Sequence, residues 1–249
     1  MRQGPNGGTS EGAGGFPGTR LSVVHAVRSA DPEARRLAWD ALVAAYWKPV
    51  YTYLRLRWRA APEDAEDLTQ GFFARAMEKA FFDGYDPARA RFRTFLRTCL
   101  DGYVANERRA ASRDKRGGSA VRVDFASAEA ELGGVPADDD PDALFQREWL
   151  RRVMELALEA LRQRCEGTSR ATAFAVFLRR DVEAADDLAP PSYADLAREF
   201  HLPVTQVTNH LAAMRRELRG EVLRALRALT SSDEEYEAEA RVLLGGPSR

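Results

Sequence analysis

From Arg20 onward apolar residues recur at helical spacing almost without a break, and no useful stretch shows the two-residue alternation of a half-buried strand. That periodicity confines the chain to an all-α fold. Asp31 before Pro32 forms an N-cap and first-turn pair. It opens a segment with Leu37, Leu42, Val43 and Trp47 on one face. Pro49 starts the next helix or kinks this one, and the continuation carries Val50, Tyr53, Leu54 and Trp58. Pro62 with Glu63, Asp64, Glu66 and Asp67 reads as a first turn whose carboxylates suit the free N–H groups and the dipole. That helix runs to about Ala80, with Leu68, Phe72 and Ala76 on its stripe. After a loop at Gly84 and Pro87, another extends from about Ala88 to Ala111.

Residues 112–142 interrupt the pattern with Gly117, Gly118, Gly133, Gly134, Pro136 and the run Asp138, Asp139, Asp140. A connection of this length exceeds the usual loop inside a compact domain and separates two of them. Helices resume over Pro141 to about Arg164, Ser169 to Arg180, Ser192 to Phe200 and Val204 to about Leu229, and Ser232 with Glu235 can cap a last short acidic one ending before Gly245. The expected organisation is a disordered Gly-rich tail (1–18), a helical domain (19–114), a flexible acidic linker (115–141), a second helical domain (142–230) and an acidic extension (231–249).

The 249 residues are 45% hydrophobic and 30% charged, sufficient for soluble, core-forming domains. No stretch approaches eighteen apolar residues, and the opening run has no apolar core of a secretory signal, so a cytoplasmic protein is expected. Net charge is −1 but unevenly placed. Pro87 to Arg116 carries a local +6 and Asp124 to Glu148 a local −7, the first suited to a polyanion and the second repelling one. Cys99 and Cys165 lack metal-ligand spacing, and the three histidines are scattered, so no metal or other cofactor is expected. Cys99 sits beside Leu96 and Leu100 as a core thiol, and no phosphate-cradling GxxxxGK run exists. Catalysis is therefore not expected, and no catalytic residue is assigned.

Around Ser192 to Leu226 the layout is that of a helix-turn-helix. Tyr193, Leu196 and Ala197 would pack the first helix, Leu202 the turn, and Val207, Leu211 and Met214 the second. Thr205, Gln206, Thr208, Asn209 and His210 then lie on the exposed start of the second helix, where small and amide side chains reach base edges in a major groove. Arg215 and Arg216, further along, suit phosphates or solvent. Pro203 stands where a capping residue is usual and could serve as the first helical residue instead.

The run PEDAEDLTQGFFARAMEK resembles the region 2.2 helix of bacterial sigma-70 family initiation factors, above all the short extracytoplasmic-function (ECF) group. ARFRTFLRTCLDGYVANERRAASRDKRG resembles regions 2.3 and 2.4 of that group, and the helix-turn-helix falls where region 4 should be. The resemblance implies two helical domains, a region 2-like bundle and a region 4-like helix-turn-helix. It implies bacterial core RNA polymerase and promoter DNA as partners, and admits an anti-sigma factor or other regulatory protein. By position, Asp67, Gln70 and Phe73, with Glu66 nearby, would contact the polymerase clamp. Tyr85 in the loop Phe82–Asp86 would wall a pocket for a flipped base of the −10 element, while Phe92 and Phe95 belong to the core. Asn106, Arg108, Arg109 and Arg113 would meet the −10 backbone. Read without the resemblance, that basic tract is either a nucleic-acid footprint or a solvated helix end.

Gly102 stands where the family usually has asparagine and Asn106 where it usually has aspartate, and a loop is inserted near residues 181–191. The function implied is a sigma factor that reads −10 with its first domain and −35 with its second. The alternative is a DNA-binding regulator on a sigma scaffold that ignores core polymerase. The acidic end at Asp233–Glu239 is either a partner site or a solubilising terminus.

Overall fold

The computed structural model describes residues 22–111, 140–184 and 189–245. Most helices start where the punctuation above places them, but a short helix at Val23–Ala26 was not expected and the helix expected from about Ala88 begins at Phe92. The helices are α1 (Val23–Ala26), α2 (Pro32–Arg57), α3 (Pro62–Glu78), α4 (Phe92–Ala111), α5 (Pro141–Cys165), α6 (Ala171–Phe177), α7 (Tyr193–Glu199), α8 (Val204–Leu229) and α9 (Asp233–Leu244). A 3₁₀ turn, Phe81–Gly84, joins α3 towards α4, and a wide π-type turn, Leu178–Val182, extends α6. The described residues are thus all-helical and contain no strand. The expected tail, residues 115–139 of the expected linker, and Arg113 lie outside the described residues.

α2 is the axis of the first cluster. Asp31 caps it by accepting from the Glu33 N–H at 3.1 Å, and it runs unbroken through Pro49, which neither starts nor ends a helix. From Ala45 to Leu54 every residue is buried, so this stretch has no polar face and is packed on all sides. The proline's missing N–H lies inside that packing. There Arg152 of α5 donates through Nε to the Ala44 carbonyl at 2.8 Å, and Lys48 pairs with Glu155 at 3.0 Å. Tertiary contacts override the local tendency of Pro49 to break the helix.

α5 explains how two clusters share one molecule. Phe145, Trp149, Val153, Ala157, Leu161 and Cys165 are all buried at intervals of four residues. Each four-residue step advances about 40° past a full turn, so the buried stripe winds about 200° from Phe145 to Cys165. The start of α5 therefore faces α2, with Tyr46 and Trp149 rings 6.3 Å apart and Tyr53 edge-on to Phe145 at 5.8 Å. Its end faces the other way, into a second cluster with Phe174, Phe177, Leu196, Val207, Leu211 and Met214. The boundary expected at residues 141/142 is consequently not a boundary of packing. Residues 145–157, with Val222, Ala225, Leu226 and Leu229 of α8, belong to the same apolar cluster as α1–α4.

The second cluster holds the helix-turn-helix. Ser192 and Asp195 form a capping box, each accepting the other's backbone N–H (3.2 and 3.1 Å), so aspartate serves where glutamate is usual. α7 ends in a Schellman arrangement, in which the Leu202 N–H reaches the Ala197 carbonyl at 2.9 Å and the His201 N–H that of Arg198 at 3.4 Å. His201 takes the left-handed conformation (φ 52°) usually given to glycine there. Pro203 occupies the N-cap position itself rather than the first helical position. Tyr193, expected inside, is 36% exposed, with the Arg180 guanidinium 4.5 Å above its ring.

Candidate nucleic-acid interface

On α3 the apolar residues Ala65, Phe72 and Ala76 are buried, while Asp67 is exposed and Glu66 and Gln70 are half-buried on the opposite side. Phe73 departs from the expectation of a surface contact. It is 3% exposed and packs edge-on against Phe72 at 5.3 Å, because residues 72 and 73 straddle the stripe facing α2 and α4. The outward face of α3 is thus acidic and amide in character, without the aromatic.

At the end of α3, Ala80 turns left-handed (φ 49°) and leads into the Phe81–Gly84 turn. Tyr85 follows, and it is not an open wall: it is 5% exposed, with its ring 5.1 Å from that of Phe92 and 5.2 Å from that of Phe95. Its hydroxyl is 2.6 Å from Ser231 Oγ, between α8 and α9. Arg28 fixes the loop by donating to the Phe82 and Tyr85 carbonyls. Burial raises the Tyr85 phenol above its usual pKa. Phe92 is fully buried and Phe95 partly so, as expected of core residues.

α4 carries the basic tract. Arg91 and Arg93, at its start, both reach Glu239 Oε1, at 2.7 and 2.6 Å. Arg93 also donates to Gln146 at 3.2 Å and lies 5.2 Å over the Trp149 ring. With Thr94, Arg97, Phe145 and Gln146 these two arginines line a cleft of about 240 Å³. One turn on, Asp101 gathers Tyr53 Oη (3.1 Å), Trp58 Nε1 (2.9 Å) and Arg97 (3.0 Å), tying α4 to the end of α2. Sequence reasoning assigned nothing to Asp101. Its signal was a carboxylate in a basic helix, four residues after Arg97.

The expected phosphate ligands divide. Arg108 is stacked 4.7 Å over Trp58 and donates to the Trp58 carbonyl at 2.6 Å, so it closes the α2 corner. Asn106 and Arg109 are exposed and joined at 3.2 Å on the last turns of α4. Gly102 faces open space, since a Cβ there would meet nothing within 4 Å, so close packing does not account for it.

At the other end of the molecule, Thr205, Gln206, Thr208 and Asn209 are exposed on the first turns of α8, and His210 is half-buried. Thr208 spends its hydroxyl on the Val204 carbonyl at 3.0 Å. Arg215 is held by Asp181 through two bonds of 2.6 and 2.8 Å instead of standing free for phosphate, and this pairing raises its pKa. Arg216 beside it is exposed.

Residues 42–114 match the family model described as sigma-70 region 2. The chain thus contains a sigma-70 region 2-like domain, built on α2, α3 and α4. No curated protein and no solved structure matches the chain. Proteins of the region 2 family are non-catalytic transcription factors, and such a domain supports a role in recognising the promoter −10 element. Among the described residues no helix is long and apolar enough to cross a membrane, and no three His, Cys, Asp or Glu side chains group as metal ligands. Cys165 is buried with its Sγ 4.0 Å from Met214 Sδ, and burial pushes the Cys99 thiol up. Neither has the setting of a thiolate nucleophile.

Proposed function

We propose that the chain is an RNA polymerase sigma factor of the ECF kind, in which residues 19–114 read the −10 element and residues 142–230 the −35 element. The observation that carries the reading is the coincidence of the region 2 match with an outward acidic and amide face on α3. Glu66, Asp67 and Gln70 meet the basic or polar surface of core polymerase, where complementary charge sets register and association rate. Asn106 and Arg109, continued by Arg113, follow the −10 backbone. Thr205, Gln206, Thr208, Asn209 and His210 enter a major groove, and Arg216 takes a phosphate. Melting is driven by binding energy, as unstacked bases are captured by aromatic and cationic groups.

The test is reconstitution with bacterial core RNA polymerase, followed by gel filtration and run-off transcription from a genomic library. Wild type is expected to co-elute with core, and Asp67→Ala with Gln70→Ala to weaken that association while the helical content is unchanged. A wild-type chain that binds specific duplex DNA yet never associates with core would refute the sigma assignment in favour of a plain regulator.

A further inference from the structure

Resting on the region 2 reading above, we infer that residues 230–245 are an intramolecular cover for the nucleic-acid face, competing with single-stranded DNA for Tyr85 and the Arg91–Arg93 pair. Three contacts of different kinds meet in this one segment. Ser231 takes the Tyr85 hydroxyl at 2.6 Å, and its carbonyl lies 3.2 Å from His25 Nε2. Glu239, 0% exposed, sets one carboxylate oxygen between the guanidinium groups of Arg91 and Arg93. Tyr236, Ala240, Leu243 and Leu244 seat the rest of α9 against the first apolar cluster.

The chemistry is that of a substituted ligand. An oxygen anion shared by two arginines is the arrangement those arginines would offer a backbone phosphate. A hydroxyl caps Tyr85, whose ring packs on Phe92 and Phe95, an aromatic set of the kind on which unstacked bases stack. Burying Glu239 is a poor way merely to glue a helix down. Its second oxygen has no hydrogen-bond partner, and desolvating such a pair consumes most of what the attraction returns. An apolar residue would hold α9 as well, so the carboxylate fits a contact that must also come apart.

The joint is present too. Thr230 and Ser232 are extended (ψ 149° and 165°) between the end of α8 and the Ser232-capped start of α9. The segment can therefore swing about a short non-helical link while staying tethered, at high effective concentration, to the face it covers. Opening uncovers Tyr85, Phe95 and Arg93 together and releases the already exposed Arg91 from Glu239.

The experiment compares full-length wild type with Ser231→Ala/Glu239→Gln, which removes the hydroxyl facing Tyr85 and the negative charge facing Arg91 and Arg93 at nearly unchanged volume. The probe is a fluorescein-labelled random single-stranded 12-mer followed by anisotropy, with core-polymerase co-elution measured on the same samples. Apparent affinity falls in proportion to the open fraction, so a cover closed in about nine molecules of ten gives the variant about tenfold tighter binding. Hydrogen exchange of residues 233–244 in wild type is expected to rise on saturation with the oligonucleotide, a readout that needs no variant. Equal oligonucleotide affinities with core association intact, or unchanged exchange in the saturated wild type, would overturn the cover and leave the sigma reading standing. Loss of core association and oligonucleotide binding in both proteins would overturn the two together.

Discussion

Gly71 on α3 and Tyr103 on α4 offer a clean test of how closely these two helices approach. A Cβ added at Gly71 falls well inside contact distance of the Tyr103 hydroxyl, while the next nearest atom, the ring carbon bearing it, is 3.6 Å away. Burial pushes the Tyr103 phenol up to about 12, so at neutral pH the obstruction is a protonated hydroxyl. Alanine in place of a mid-helix glycine gains about 1 kcal/mol of backbone propensity. Forcing a methyl into filled space costs about 1–3 kcal/mol. Gly71→Ala should therefore lie between neutral and about 2 kcal/mol destabilising. In a Tyr103→Phe background the obstruction is gone and ordinary contact remains, so the same substitution should stabilise by about 1 kcal/mol. The four proteins of the cycle are compared by urea unfolding, with midpoints converted to free energy only where the slopes agree. A Gly71→Ala effect of equal sign and size in both backgrounds would show that the hydroxyl is not the limiting contact.

Other consequences are simpler to read. Gly102→Ala, exposed and without neighbours, should raise stability by about 1 kcal/mol; a loss in urea midpoint would mean the helix is altered there. Phe73→Ala should cost about 3–5 kcal/mol of folding stability, as expected of a buried aromatic, and a folded variant of wild-type stability that only loses polymerase would contradict its placement. Glu221 supplies a pH dependence. Burial opposes its ionisation, but Arg224 and Arg164 outweigh it and hold the carboxyl below its usual range. With the folded value depressed, the contribution is complete above the unfolded pKa of about 4.3 and is lost as pH falls through the folded value. The urea midpoints of wild type and Glu221→Gln should converge only in that acid window, and a gap constant down to pH 3 would refute the linkage.

Helix ends were legible because they are local events. Asp31, the Ser192–Asp195 box and Ser232 each satisfy free backbone N–H groups with side chains at the helix start, and Pro62 marks the start of α3 by its fixed backbone alone. What periodicity conveys is that a face is apolar, not which element covers it. Phe73 and Tyr85 were given exposed duties from their place in a resemblance, whereas their burial is decided by α2, α4 and residues 231–235. Pro49 would end an isolated helix and does not end one packed on every side. The four-residue spacing from Phe145 to Cys165 was visible in the sequence, and its drift was the signal that one helix serves two clusters. The outward residues Thr205, Gln206, Thr208 and Asn209 were placed correctly because Val207, Leu211 and Met214 fix the opposite side of the same helix.

The 26 residues of α8 form a shaft about 39 Å long, with its lower half clamped in the first cluster and its upper half carrying the Thr205–Asn209 face. Leu218 touches both clusters near the middle. The angular phase of that face is thus keyed to the body around Tyr46 and Trp149. One residue inserted between Leu218 and Gly220 would advance the upper half by about 100° and about 1.5 Å, turning Gln206 and Asn209 out of alignment with everything below. Phase returns only after about seven residues, and then with the tip carried about 10 Å further out. The shaft is in this sense a ruler with coarse divisions, which evolution could lengthen in whole pairs of turns but not adjust by single residues.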